Sequence, residues 1–362
     1  MTDLFIDSHI FNVLIEGDED QPALVLSHPL GCNLHFWDAQ VPALTKYFRV
    51  IRYDMRGHGG SAANEGPYSL DQLGRDALAI LDALSIGKAH WVGLSLGSVI
   101  GLWLLVHAGE RIGRAVLANT AAHLPTPDLW NSRIELARTE GLEAIAAGTA
   151  ERWFRESFRK VHPEKVEAVL DMIRATPLAG YVAVCAALRD LDLREAIRGL
   201  AHEVLVIAGQ EDASTPKEMG AFVAESIKGA KLITLKTSHL SSIEDEAHFT
   251  KAVLDFLTAP EARPLPAQIP SKKRVAKKAP AKKGPTKKSV AKLAPAKKVP
   301  AKRAAQKKSL VKRPTKKTAV KKTAKKTSSR AVTTKKVTKK SIDKKKSVAK
   351  GRAAARKRAK RK

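Results

Sequence analysis

Ser95 lies in Gly93-Leu94-Ser95-Leu96-Gly97, after a short apolar run (His90–Leu94) and before a helical one (Ser98–His107). A serine at that spacing on a strand-to-helix turn is the pattern of a nucleophile elbow, a bend so tight that small residues are needed two places to either side. The helix that starts there aims its positive end at the hydroxyl, and the Leu96 N–H is left free to stabilise a developing oxyanion. A serine hydroxyl is a weak nucleophile near neutral pH and needs a base. In this setting an acid follows the serine and a histidine comes last. Asp212, after the apolar run Val204–Ala208, is the expected acid, with the adjacent Glu211 as alternative. His239, just after the run Lys231–Leu235, is the expected base. Its rival, His248, falls inside a helical stretch (243–257) and reads as a surface residue. The second oxyanion donor should come from His28-Pro29-Leu30-Gly31. Proline has no N–H to give, so Leu30 is the expected donor. Cys32 beside it reads as packing, and Asp54 and His58 read as parts of a glycine-rich turn rather than as catalysts.

Short apolar strands must carry these residues. A strand is expected over residues 4–16, others over Ala23–Ser27, Arg49–Tyr53, His90–Leu94, Arg114–Ala118, Val204–Ala208 and Lys231–Leu235, and a helix over Leu70–Leu84. Strands alternating with helices indicate an α/β fold, a mostly parallel sheet with helices on both faces. From about 125 to 198 the alternation stops and only helical spacing remains. That stretch reads as a helical cap over the strand ends, where such sheets bind ligands. Trp91–Ala108 is the longest apolar stretch, but the glycine turn divides it into pieces too short to span a membrane.

Charge divides the chain. Residues 271–362 hold 40 Lys and Arg against one acid, Asp343, whereas residues 1–270 hold 25 bases against 35 acids. The last aromatic residue is Phe256. A segment with that charge and no aromatics cannot bury enough apolar surface to offset chain entropy. Three parts are therefore expected: a hydrolase-like domain over 1–258, a Pro-rich linker over 259–270, and a disordered Lys/Ala/Pro-rich tail over 271–362. The tail should bind DNA or another polyanion without sequence preference, because it has neither aromatics for stacking nor a groove-reading helix. Two cysteines and an acidic N-terminus without a long apolar run point to the cytoplasm, with nucleoid association through the tail. The oligomeric state is left open.

With the elbow GLSLG, the turn DMRGHGGS, the acid segment AGQEDASTP and the histidine segment TSHLSSIE, the chain resembles the α/β-hydrolase superfamily. Within it, SHPLGCNLHFWDAQVPAL, RVIRYDMRGHG, GPYSLDQLGRD, ANTAA, ERWFRESF and CAALRDLDLRE resemble the 3-oxoadipate enol-lactonases, over about Ile6 to Leu257. The resemblance implies Ser95 as nucleophile, Asp212 as acid and His239 as base, a small lactone as substrate in aromatic-compound catabolism, and no metal or organic cofactor. In two places the sequence departs from the pattern: Ser98 stands where many relatives have glycine, and His28-Pro29 where the wider superfamily often has His-Gly. The substrate implied carries a carboxylate, for which Arg133, Arg138, Arg152 and Arg155 are the available cap bases; Trp153 is the candidate apolar wall. Alternative readings are another esterase or peroxidase-like hydrolase of this fold, and a nucleic-acid-compacting protein with a secondary hydrolase body. Dehalogenase and epoxide-hydrolase chemistry would need an aspartate in place of Ser95.

Overall fold

The computed structural model describes residues 2–124 and 126–260. The apolar runs form eight strands: β1 (Thr2–Ile6), β2 (His9–Glu16), β3 (Ala23–Ser27), β4 (Arg49–Tyr53), β5 (Ala89–Leu94), β6 (Ile112–Ala118), β7 (Val204–Gly209) and β8 (Lys231–Leu235). They make one sheet in the order β1-β2-β4-β3-β5-β6-β7-β8. The pairs from β4 to β8 are parallel, while β1 and β2 run antiparallel at one edge. β3 and β7 are buried almost throughout, which is why they read as continuous apolar runs rather than as alternation. The single strand expected over 4–16 is instead a hairpin. Asp7 and Ser8 take positive φ (46° and 65°), and Ile6 pairs with His9 across them. Short polar side chains tolerate that conformation, so the turn forms without the glycine that would have announced it.

The helices are α1 (Val41–Leu44), α2 (Leu70–Ala83), α3 (Leu96–His107), α4 (Pro127–Ala147), α5 (Ala150–Trp153), α6 (Glu156–Val161), α7 (Pro163–Ala175), α8 (Leu178–Arg189), α9 (Lys217–Ser226), α10 (Ser241–Glu244) and α11 (Glu246–Leu257). α2 begins where the Ser69 hydroxyl accepts the Gln72 N–H, and it buries Leu73, Ala77, Ile80 and Leu81 on one face. α3 is buried nearly all round, and this accounts for the apolar stretch that follows the elbow. No single helix among the described residues is long and apolar enough to cross a membrane. Helices α4 to α8 form the cap between β6 and β7, and its two ends are joined by a bridge between His123 and Asp192.

At the start of β6, the buried Arg114 lies within hydrogen-bond distance of the carbonyl oxygens of Phe256, Leu257, Ala259 and Pro260 (3.2, 3.0, 2.5 and 3.1 Å). Glu203 balances its charge at 3.1 Å. A helix end leaves carbonyls without intrahelical partners, and one planar guanidinium gathers the last two of α11 together with those of Ala259 and Pro260 just past it. The remainder of the linker expected over 259–270, and the whole tail expected to be disordered over 271–362, lie outside the described residues.

Candidate active site

The site is assembled at the carboxyl ends of β5, β6, β7 and β8. Between β5 and α3, Ser95 takes φ 54° and ψ −114°, a conformation costly for a residue with a side chain. The turn closes so tightly that a Cβ on Gly93 would sit 2.3 Å from the Gly97 carbonyl, and one on Gly97 2.0 Å from the Ser27 carbonyl oxygen. The Ser95 N–H donates to the Ala118 carbonyl at 2.9 Å, which ties the elbow to β6. Ser98, the residue that departs from glycine, is buried within reach of the Gly93 and Ala118 carbonyl oxygens (2.7 and 2.9 Å), so its hydroxyl braces the same turn.

His239 Nε2 lies 3.0 Å from Ser95 Oγ, and its Nδ1 lies 2.8 Å from Asp212 Oδ2. Asp212 accepts further bonds from the Ser214 and Thr215 N–H groups, the Thr215 hydroxyl and the Asn119 amide (2.8, 2.9, 2.8 and 3.0 Å). Burial works to raise its pKa. The attraction of His239 in its cationic form, the hydrogen bond from that ring, the Thr215 N–H and the Asn119 amide outweigh that and bring it down to about 2. With the aspartate ionised, His239 carries its proton on Nδ1 and turns a bare Nε2 toward the serine, as a general base requires. Asn119, itself at φ 47°, also donates to the Ser238 carbonyl at 3.1 Å and accepts the Ser241 hydroxyl at 2.5 Å. One side chain thereby fixes both the acid and the histidine loop.

The structure places the two alternatives apart from the Ser95–His239–Asp212 chain. Glu211 is exposed and faces Arg155 at 3.8 Å. His248 is exposed and bonded to Asp245 at 2.7 Å on α11. Asp54 accepts the N–H groups of Leu34 and Gly60 (2.7 and 2.8 Å) and the Asn12 amide (2.7 Å), the structural part expected of a turn residue. Cys32 is buried in apolar surroundings that push its thiol pKa up, so it packs rather than reacts.

Leu30, Leu96, Ser95 and His239 all line a cavity of about 340 Å³ between the sheet and the cap. Neither the Leu30 nor the Leu96 N–H has a protein acceptor among the described residues. Trp153 forms part of the wall, its ring 5.7 Å from that of His239. Of the four cap arginines, Arg133 and Arg152 reach this cavity. Arg138 lines a separate groove beside α8, and Arg155 is held by Glu244 at 2.7 Å. Among the described residues Arg133 and Arg152 have no carboxylate partner. Arg133 donates to the Tyr181 hydroxyl at 2.5 Å, and Arg152 to the Gly148 carbonyl at 3.0 Å. Burial first, and then the Arg133 charge, lower the pKa of Arg152.

Sequence reasoning missed Asn119, Thr215 and Trp130. The Thr215 hydroxyl, three residues past the acid, had a local signal, the Asx-type turn. Trp130 and Arg133 share a face of α4 by their spacing. Asn119 had its place at the end of a strand and inside the segment ANTAA, neither of which gives the side chain a role.

Two buried histidines hold the loop that carries Leu30. Burial lowers the pKa of His28 to about 4; burial, and then the His28 charge, lower that of His58 to about 3. An unfolded histidine titrates near 6.5. Between that value and the folded ones the unfolded chain binds more protons, so stability is full above about pH 6.5 and is lost as the pH falls. The two rings together should bring the slope toward ~2.7 kcal/mol per pH unit in the pH 6 to 4 window. Urea unfolding at pH 7, 6 and 5 measures it, and a flat stability over that range would show that these rings are protonated in the fold.

The model of the alpha/beta hydrolase fold family matches residues 22–246, and the chain belongs to that family. It is a hydrolase acting on esters. It is 40% identical to 3-oxoadipate enol-lactonase 2 of Acinetobacter baylyi over 237 residues, 66% of this chain and 89% of the relative. The crystal structure of the enol-lactonase from Burkholderia xenovorans LB400 matches with a TM-score of 0.70 at 39% identity, covering 71% of this chain and all of that one. More distant is the putative carbamate hydrolase RutD of Variovorax paradoxus, 30% identical over 260 residues, 70% of this chain and 98% of the relative.

Proposed function

We propose that the protein opens 3-oxoadipate enol-lactone to 3-oxoadipate in aromatic-compound catabolism, with Ser95 as nucleophile, His239 as general base and acid, and Asp212 as its partner. The observation that carries this reading is the pairing of the Ser95–His239–Asp212 chain, in one cavity, with two arginines that meet no carboxylate among the described residues. Ser95 Oγ attacks the ring carbonyl while His239 Nε2 takes its proton. The Leu30 and Leu96 N–H groups hold the oxyanion. The ring oxygen leaves as an enolate and is reprotonated to the ketone, so little push is needed from the imidazolium. A water deprotonated by His239 then cleaves the acyl-enzyme and frees the second carboxylate. Arg133 and Arg152 meet the carboxylate the substrate already carries, and Trp153 faces its apolar edge.

Loss of enol-lactone ultraviolet absorbance with the full chain tests the reading. Replacing both arginines, Arg133→Gln with Arg152→Gln, should raise KM for the lactone at least tenfold and change KM for a neutral aryl ester less than threefold. Turnover of aryl esters without turnover of the enol-lactone would keep the triad and move the substrate elsewhere, to another ester hydrolysed by this fold.

The reading includes the tail. Residues 271–362, with 40 bases and no aromatic residue, would neutralise phosphates and bind DNA or another polyanion without sequence preference. The enzyme would then work in the cytoplasm while held at the nucleoid. A nucleic-acid-compacting protein with a secondary hydrolase body is the competing account, and it is disfavoured because such a body has no need of an assembled triad.

A further inference from the structure

Two loops meet behind the Leu30 N–H, and they exchange hydrogen bonds through histidine rings. His28, in the loop after β3, accepts the Met55 N–H on Nε2 at 3.1 Å. His58, in the glycine turn after β4, accepts the Gly31 N–H on Nε2 at 2.9 Å. On the other side of each ring Nδ1 faces a carbonyl oxygen: that of Pro29 for His28, at 2.9 Å, and that of Arg56 for His58, at 3.3 Å. Each ring is therefore neutral with its hydrogen on Nδ1, since a second ring hydrogen would point at a backbone N–H. Both are fully buried, their centroids 5.4 Å apart.

These bonds fall on particular peptide planes. A peptide unit is flat, so fixing its carbonyl fixes the direction of its N–H. The Pro29 carbonyl, which accepts from His28, belongs to the same unit as the Leu30 N–H. The next unit is pinned through Gly31 N–H by His58, and the one after through Gly31 C=O by the Thr176 hydroxyl at 3.1 Å. Gly31 has φ 77°, so the chain turns there in a conformation that needs such holding.

We propose that His28 and His58 are positioning residues, a reciprocal latch that aims the Leu30 N–H at the oxyanion. The proposal rests on the reading of Leu30 as an oxyanion donor given above. It assigns to these histidines a part in the reaction although neither touches substrate.

The test uses the full chain. His58→Ala should lose about a hundredfold in kcat on an aryl ester, with KM within twofold, the mark of a group needed only at the transition state. His58→Gln, whose side-chain oxygen can accept the Gly31 N–H, should regain at least tenfold of that loss. A folded His58→Ala with kcat within twofold of the parent overturns the proposal, as does a Gln variant no better than Ala. Nitrogen-15 spectra of the parent protein at pH 7 supply a readout that does not depend on a variant folding. Both rings should carry their hydrogen on Nδ1, and an Nε2-protonated ring at either position overturns the latch. Leu30→Pro separates the two levels. If it keeps full kcat, the oxyanion assignment itself fails; if it is crippled while His58→Ala is not, the latch alone fails.

Discussion

Replacing Ser95 with alanine is expected to lower kcat for ester hydrolysis by roughly a millionfold, in line with what removal of a triad nucleophile costs elsewhere. The size follows from the role. Among the described residues Ser95 Oγ is the hydroxyl that meets His239 Nε2, at 3.0 Å, and the N–H groups of Leu30 and Leu96 can still polarise a carbonyl without it. A residue of roughly 10³–10⁴ over the uncatalysed rate should therefore survive. The fold should not suffer, because Ser95 is held by its own N–H to Ala118, a bond alanine keeps. A change in melting temperature of more than a few degrees, or residual turnover above a few per cent, would contradict the assignment.

Deleting residues 261–362 is expected to abolish DNA binding while leaving kcat and KM for small esters within twofold. The removed segment takes away the 40 bases of residues 271–362 and leaves a body in which acids outnumber bases. If about ten of those bases engage phosphates, binding by the full chain should fall by ~10⁵ between 50 and 200 mM salt, the steep slope of counterion release. Sequence scrambling of the DNA should leave the affinity unchanged, since nothing in the segment reads base edges. A truncated body that still shifts DNA would place the binding surface on the globular part.

Much of the site could be read from the chain because its members sit where strands end. The strand-to-helix turn around Ser95 has a steric signature, and glycines at 93 and 97 are demanded by atoms that would otherwise overlap. Asp212 and His239 were reached by chain order and by their places after apolar runs. The rest depended on contacts between distant segments. Asn119 meets Asp212 across 93 residues, and no local spacing announces it. Of four cap arginines, Arg133 and Arg152 reach the cavity, whereas Arg138 lines a separate groove and Arg155 spends its charge on Glu244, 89 residues away, and no local spacing separates these cases. The hairpin at Asp7-Ser8 escaped notice because its turn uses residues that tolerate positive φ rather than require it. His58 was read as part of a turn, which it is; its bond to Gly31, a loop away, gives that turn its bearing on the oxyanion.

Arg114 has a mechanical consequence. In the parallel pairing of β5 with β6, Leu94 lies opposite Ala118, so Arg114 is four residues nearer the base of the sheet than the elbow. That is roughly 13 Å along the strand. The chain therefore leaves the described body, at Pro260, from the end of the sheet away from Ser95. The last described residues are thus tied to β6 through one guanidinium and four carbonyls, and not through the cap helices that lie over the cavity. Attachment and catalysis are thereby given opposite ends of the same strands, with the length of β6 between them.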